Sequence, residues 1–252
     1  MGVSLELKVG CCGFPVSRSR YFEHMKVVEV QSTFYKLPRV STAEKWRREA
    51  PEGFEYTAKA WQPMTHPPTS PTWRKAKLKL PGSPEAYGHL KPTKENLEAW
   101  EEARRVYKAM ACTIVVFQCP PTFKMTEQSI RDMREFFQAI AGEFKLAWEP
   151  RHESWHSSPS TVRKLCTDLE LIHVTDIMKR PPQDLSPTLY TRLHGLGREI
   201  NYSYKYTQQD LERLISLVEE RSEGKREAYI MFNNIRMWDD ALKLLELLSS
   251  RR

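Results

Sequence analysis

Val27-Val28-Glu29-Val30-Gln31-Ser32-Thr33-Phe34 is the stretch that decides the fold. Valines dominate its first half, and Glu29, Gln31 and Thr33 fall at alternate positions, hence on one face of an extended segment. A purely structural strand would stay apolar there. The run reads as a strand that leads into a polar site. Seven further runs have the same β-branched or aromatic character: Leu5–Phe14, Phe54–Ala60, Cys112–Cys119, Lys145–Arg151, Leu171–Ile177, Leu189–Gly195 and Glu227–Asn234. Helical patterns fall between them at Ser41–Ala50, Lys94–Ala111, Thr126–Ala141, Pro159–Leu169, Thr207–Glu223 and Asp239–Ser249. Ser41 with Glu44 predicts a capping box, Thr207 with Asp210 a weaker one, and Pro159 suits a first helical turn. The intervals after the first and sixth runs carry no clear helix.

Eight β units alternating with helices in 252 residues match the size and rhythm of a parallel (β/α)8 barrel, an α/β fold occupying residues 1–252 as one domain. A doubly wound open sheet is the alternative, without its common nucleotide-binding form, since neither G-x-G-x-x-G nor G-x-x-x-x-G-K-[ST] occurs. No run approaches the roughly 20 apolar residues a membrane span needs. Met1–Lys8 lacks the basic start and apolar core of a signal peptide. Five cysteines, two of them adjacent, make a poor disulfide framework. A cytoplasmic protein with reduced thiols is expected, with no membrane and no obligate protein partner.

Nearly every predicted strand ends in a polar or ionisable residue. After Glu29 and Gln31 come Lys59, then Gln118, then Glu149 and Arg151 on one face followed by His152. Asp176, the pair Arg192 and His194, and Asn233-Asn234 complete the series. Each has a structural explanation: an ion pair for Glu149 and Arg151, a loop hydrogen bond for His194, a turn for the asparagines. Together they point to one shared site, because polar groups are costly at so many strand ends. In a closed parallel barrel that site is the C-terminal mouth.

Serial motifs carry a family resemblance. They are Gly10-Cys11-Cys12-Gly13-Phe14, Val28-Glu29-Val30-Gln31-Ser32-Thr33-Phe34-Tyr35, Tyr56-Thr57-Ala58-Lys59 with Thr65-His66, and Phe117-Gln118-Cys119-Pro120-Pro121. Trp148-Glu149-Pro150-Arg151-His152 with Trp155, Thr191-Arg192-Leu193-His194-Gly195 and Phe232-Asn233-Asn234 follow in order. The chain resembles the DUF72 (YecE-like) family over nearly its whole length. That resemblance implies a TIM barrel; the family is named for its lack of an assigned function, so the resemblance assigns no particular activity. Gln31 stands where the family usually has Asn, Pro150 where it usually has Phe, and Trp73–Tyr87 looks private to this chain.

Charge then suggests a partner. The net charge is +7, and Trp61–Lys94 holds six basic residues against one acid, Glu85. This stretch follows Lys59 directly and mixes Arg74, Lys75, Lys77 and Lys79 with Trp61 and Trp73. Basic residues that track phosphates, interleaved with rings that stack bases, are what nucleic-acid binding requires. The expectation is a nucleic-acid-processing enzyme, of glycosylase/lyase or nuclease type, acting on damaged or abasic DNA. Lys59 would be nucleophile or electrostatic catalyst, with Glu149, Asp176 and Glu29 moving protons. Arg151, Arg192 and His194 would hold phosphate, Gln118 and Asn233 would read an extruded base, and Gln31 and His152 would also bind substrate. Two rivals stand beside it: an enzyme on sugars or sugar phosphates using the same mouth, and a non-catalytic binding module. No cofactor is expected. A divalent metal on Glu29, Glu149, Asp176 and His194 is the alternative, though no H-x-x-x-H, H-E-x-x-H or C-x-x-C supports it.

Overall fold

The computed structural model describes residues 5–251. Met1–Ser4, part of the segment read above for a targeting signal, lies outside the described residues. Eight parallel strands form one sheet: β1 (Glu6–Cys12), β2 (Val27–Val30), β3 (Glu55–Lys59), β4 (Cys112–Gln118), β5 (Lys145–Glu149), β6 (Ile172–His173), β7 (Thr188–Leu193) and β8 (Glu227–Phe232). Neighbours run β6-β5-β4-β3-β2-β1-β8-β7. The ring closes between β6 and β7 by a single bridge, Thr175 to Thr191. The Thr191 hydroxyl reinforces it by donating to the Thr175 carbonyl at 2.9 Å. The fold is an α/β eight-stranded parallel barrel, TIM-like and nearly closed.

Two apolar layers follow from strand alternation. Cys12, Val27, Ile114, Val116, Ala147, Ile172, Val174, Tyr190, Tyr229 and Met231 fill the interior. The other strand faces pack outward against the helices, with Trp100, Tyr107, Phe117, Phe136 and Trp148 among the largest side chains. At the N-terminal end Lys8 pairs with Glu55 and Glu227. Tyr229 donates to Glu55 at 2.6 Å, and Tyr229 stacks on Tyr190 with centroids 5.4 Å apart. This ionic and aromatic plug closes the base of the barrel.

The strand order and the polar strand ends follow the expected pattern, but several local readings need correction. The second run stops at Val30: Gln31 adopts αR geometry and Ser32–Tyr35 forms a short helix. Thr33 therefore leaves the face shared with Glu29, and its hydroxyl is 2.9 Å from the Val30 carbonyl and 2.8 Å from that of Lys59. Ser41 makes no capping box, because the helix Val40–Glu49 begins one residue earlier with Arg39 at its cap. The Thr207–Asp210 box does form, ahead of Gln208–Glu220. The sixth strand shrinks to Ile172–His173 because the chain turns into a loop, and no helix covers the link to β7. Among the described residues no helix is long and apolar enough to cross a membrane, and all five cysteines are free and buried.

Candidate active site

Strands β2, β3, β4, β5 and β7 deliver Glu29, Lys59, Gln118, Glu149 and Arg192 to the C-terminal mouth. Register explains the convergence: Gln118 lies opposite Glu149, and the final residues of β3 run beside β4. Arg192 is fully buried and sits between two carboxylates. Its Nη2 lies 3.1 Å from Glu29 and its Nη1 pairs with Glu149. The same Nη1 reaches Gln118 Oε1 at 3.4 Å. Gln31 and Tyr190 also donate to Glu29, the latter at 2.8 Å. Arg151 lies 2.6 Å from the other oxygen of Glu149, closing an alternating chain of two acids and two bases.

These pairings set the protonation states. Burial opposes the charge on Glu149, yet Arg151 and Arg192 bring its pKa down to about 2. A carboxylate so held stays ionised and makes a poor proton donor. Burial and the Arg151 charge push His194 well below its ordinary value, so the ring is neutral. Arg151 donates to His194 Nε2 at 2.8 Å, which puts the imidazole proton on Nδ1. Burial raises the pKa of Asp176. Its oxygens accept from the backbone N–H of His194 and Met178 at 3.1 and 3.2 Å, and Lys179 lies 3.1 Å away. Asp176 thereby ties the loop after β6 to the end of β7.

Lys59 is different. It is 8% exposed, and its Nζ sits 3.7 Å above the centre of the Phe34 ring. Among the described residues that amine has neither a hydrogen bond nor an ion pair. Burial lowers its pKa from 10.5 to about 7, the charge on Arg192 adding to the effect. His66, also buried near Lys59, is pushed down to about 3 by its own desolvation and by that lysine.

Other expected site residues fall elsewhere. His152 caps the short helix Glu153–His156, its Nδ1 accepting from Ser154 N at 3.0 Å, so this nitrogen is not free to hold substrate. Asn233 is half-buried beside the mouth, while its neighbour Asn234 bonds the buried Asp240 at 2.7 Å. Trp61 and Trp73 correct the base-stacking expectation. They are 4% and 7% exposed, and Trp73 donates to the His66 carbonyl at 2.9 Å while meeting Tyr87 edge-on. Their rings pack onto the barrel and leave no free face. Arg74, Lys75, Lys77 and Lys79 remain exposed around them. Among the described residues no three His, Cys, Asp or Glu side chains gather as a metal set. Glu29 and Glu149 spend their oxygens on guanidinium groups instead. Composition did not single out Tyr190, whose hydroxyl holds Glu29 from inside the barrel, or Lys179, and their neighbours in space were the missing signal.

Known proteins place this architecture. The chain is 24% identical over 256 residues to the UPF0759 protein YunF of Bacillus subtilis (strain 168), covering 90% of this chain and 85% of YunF. The crystal structure of a DUF72 family protein from Enterococcus faecalis V583 matches with a TM-score of 0.77 at 18% identity, covering 98% of this chain and 99% of that one. A xylose isomerase-like TIM barrel/4-hydroxyphenylpyruvate dioxygenase fusion protein shares the fold at a TM-score of 0.57 and 11% identity, over 95% of this chain and 42% of the fusion. The family model described as "Protein of unknown function DUF72" matches residues 17–252. With the barrel, the polar mouth and that match together, the chain belongs to the DUF72 family.

Proposed function

We propose that the protein is an enzyme of amine–carbonyl chemistry, in which Lys59 attacks the carbonyl carbon of a small anionic sugar, a sugar phosphate in its open-chain form. One observation carries the reading. Among the described residues, Arg151 and Arg192 each have a carboxylate partner at the mouth, while the amine of Lys59 has none. A permanently ion-paired lysine would be a structural cation. An unpaired, desolvated one is the arrangement that leaves a nucleophilic amine. With its pKa near 7, a large share of Lys59 is uncharged at neutral pH.

The step balances simply. The neutral amine adds to the carbonyl carbon, a proton passes from nitrogen to oxygen, and water leaves to give the imine. Arg151 Nε and Arg192 Nε are buried without hydrogen-bond partners. Arg192 is sealed beneath the mouth, so the half-buried Arg151 is the one whose N–H supports an anionic substrate. The test is borohydride reduction in the presence of a panel of aldose and ketose phosphates, read by intact and peptide mass spectrometry. A substrate-mass adduct on Lys59 is expected, absent in Lys59→Ala and in Lys59→Arg, whose guanidinium keeps its proton. No adduct with any panel member removes the reading.

A second reading rests on the exposed Arg74, Lys75, Lys77 and Lys79. In it the sugar carbon belongs to an abasic nucleotide in DNA, the basic loop follows the phosphates, and the enzyme is of glycosylase/lyase type. The burial of Trp61 and Trp73 ranks it second, since base stacking would have to come from other rings. Abasic oligonucleotides in the same borohydride panel separate the two.

A further inference from the structure

We infer that Tyr202, with Ile235 beside it, is the substrate-ring platform of the mouth and selects a sugar by the apolar C–H face of its closed ring. This rests on the sugar reading above and adds the contact that would decide which sugars enter. Tyr202 is 46% exposed and Ile235 76%, among the few large apolar side chains left in solvent. The Tyr202 ring lies 6.3 Å from that of His194, whose partner is Arg151. The ring thus stands at the rim of the mouth beside the buried His194–Arg151 pair, and offers a flat apolar face that ends in a hydroxyl, the combination a sugar ring matches.

The surrounding loop is built to hold this pair still. Gly195 has φ +79°, and a Cβ there would stand 2.1 Å from the Asn201 carbonyl oxygen, so only glycine lets the chain fold back so closely. Asn201 N then donates to the His194 carbonyl at 2.7 Å, and Asn201 Nδ2 to Leu196 O at 2.9 Å. Ile235 N donates to the Tyr202 carbonyl at 2.8 Å, and Asn234 to that of Tyr204, also at 2.8 Å. On the other flank Arg180 grips Glu199 through both nitrogens at 2.9 Å. Backbone clamping of this density around two exposed apolar side chains costs conformational entropy without burying either. It is explained when a ligand covers them, because the ordering is then done before binding. Among the described residues the Tyr202 hydroxyl has no hydrogen-bond partner, which leaves it for a sugar oxygen.

The experiment uses a panel of methyl pyranosides, which present the ring but cannot open to a carbonyl, with binding measured by saturation-transfer NMR and titration. The full-length protein is expected to bind at least one of them. Tyr202→Ala should weaken that binding about tenfold, while Tyr202→Phe, which keeps the face, should stay within about threefold. Wild-type affinity in Tyr202→Ala, or no pyranoside binding by the wild type, overturns the inference. Pyranoside binding that depends on Tyr202, with no borohydride adduct on Lys59, sustains the platform and removes the amine chemistry. An adduct formed equally well in wild type and Tyr202→Ala, with no pyranoside bound, does the reverse.

Discussion

Arg192, carried on β7, crosses the barrel mouth to lie 3.1 Å from Glu29 on β2, and neither side chain touches solvent. With Glu149 on its other side, this guanidinium is the strut between three strands. Buried charges survive only when they are paired. Arg192→Leu would leave Glu29 and Glu149 short of a partner, and should cost about 3–5 kcal/mol of unfolding free energy in urea titrations. A loss under about 1 kcal/mol would mean that the carboxylates find other partners.

Glu149 contributes to the acid limb of stability, as does Glu227 at the base, which, against its burial, Lys145, Thr188 and Lys8 also hold down to about 2. The folded pKa of Glu149 is about 2 against an ordinary 4.5, so its contribution is complete above about 4.5 and is lost as pH falls through about 2. Arg151→Gln should move the onset of acid unfolding upward in pH, followed by near-ultraviolet circular dichroism from pH 6 to 2. An unchanged onset would show that Arg192 alone holds the charge.

Lys59 works in the opposite pH range. Its folded pKa of about 7 lies below the ordinary 10.5, so between those values the unfolded chain binds more protons. The sign is then positive: stability rises with pH from about 7 toward about 10.5. Lys59→Met should be more stable than wild type at neutral pH, with the gap shrinking by pH 10 in paired denaturant titrations. In the wild type the rate of borohydride-trapped imine formation should climb through the same pKa.

The exposed lysines make a separate prediction, on the second functional reading. Changing Lys75, Lys77 and Lys79 together to Gln should lower the slope of log K against log salt for abasic or single-stranded oligonucleotides by about 2–3, at roughly 0.7–0.9 per phosphate contact. These side chains are exposed, Lys75 meeting only the half-buried Tyr35 ring at 5.2 Å, so stability should change little. A slope equal to that of wild type would place the nucleic acid elsewhere or remove it as a partner.

The strands were legible because valine, isoleucine and aromatic runs advertise themselves, and the polar residues at their ends stood out against that background. Glu149 and Arg151 could be paired by alternation alone, being two residues apart. Arg192 and Glu29 could not, since only closure of the ring brings β7 across from β2. Trp61 and Trp73 misled because an aromatic among lysines looks the same in sequence whether it faces solvent or the barrel. The Ser41 box failed for a related reason: side-chain type suggests a cap, but the path of the chain from Arg39 decides where the helix begins. Tyr202 carries no signal in the sequence, because exposure is a property of the folded loop.

Among the described residues, the plug at the base, Lys8 with Glu55 and Glu227 beneath the Tyr190–Tyr229 stack, closes that end and makes the barrel a cup. On the reading that a substrate reacts at Lys59, it would have to depart through the mouth by which it arrived. Arrival and departure would then exclude one another, and spent product would compete with the next molecule for the same doorway.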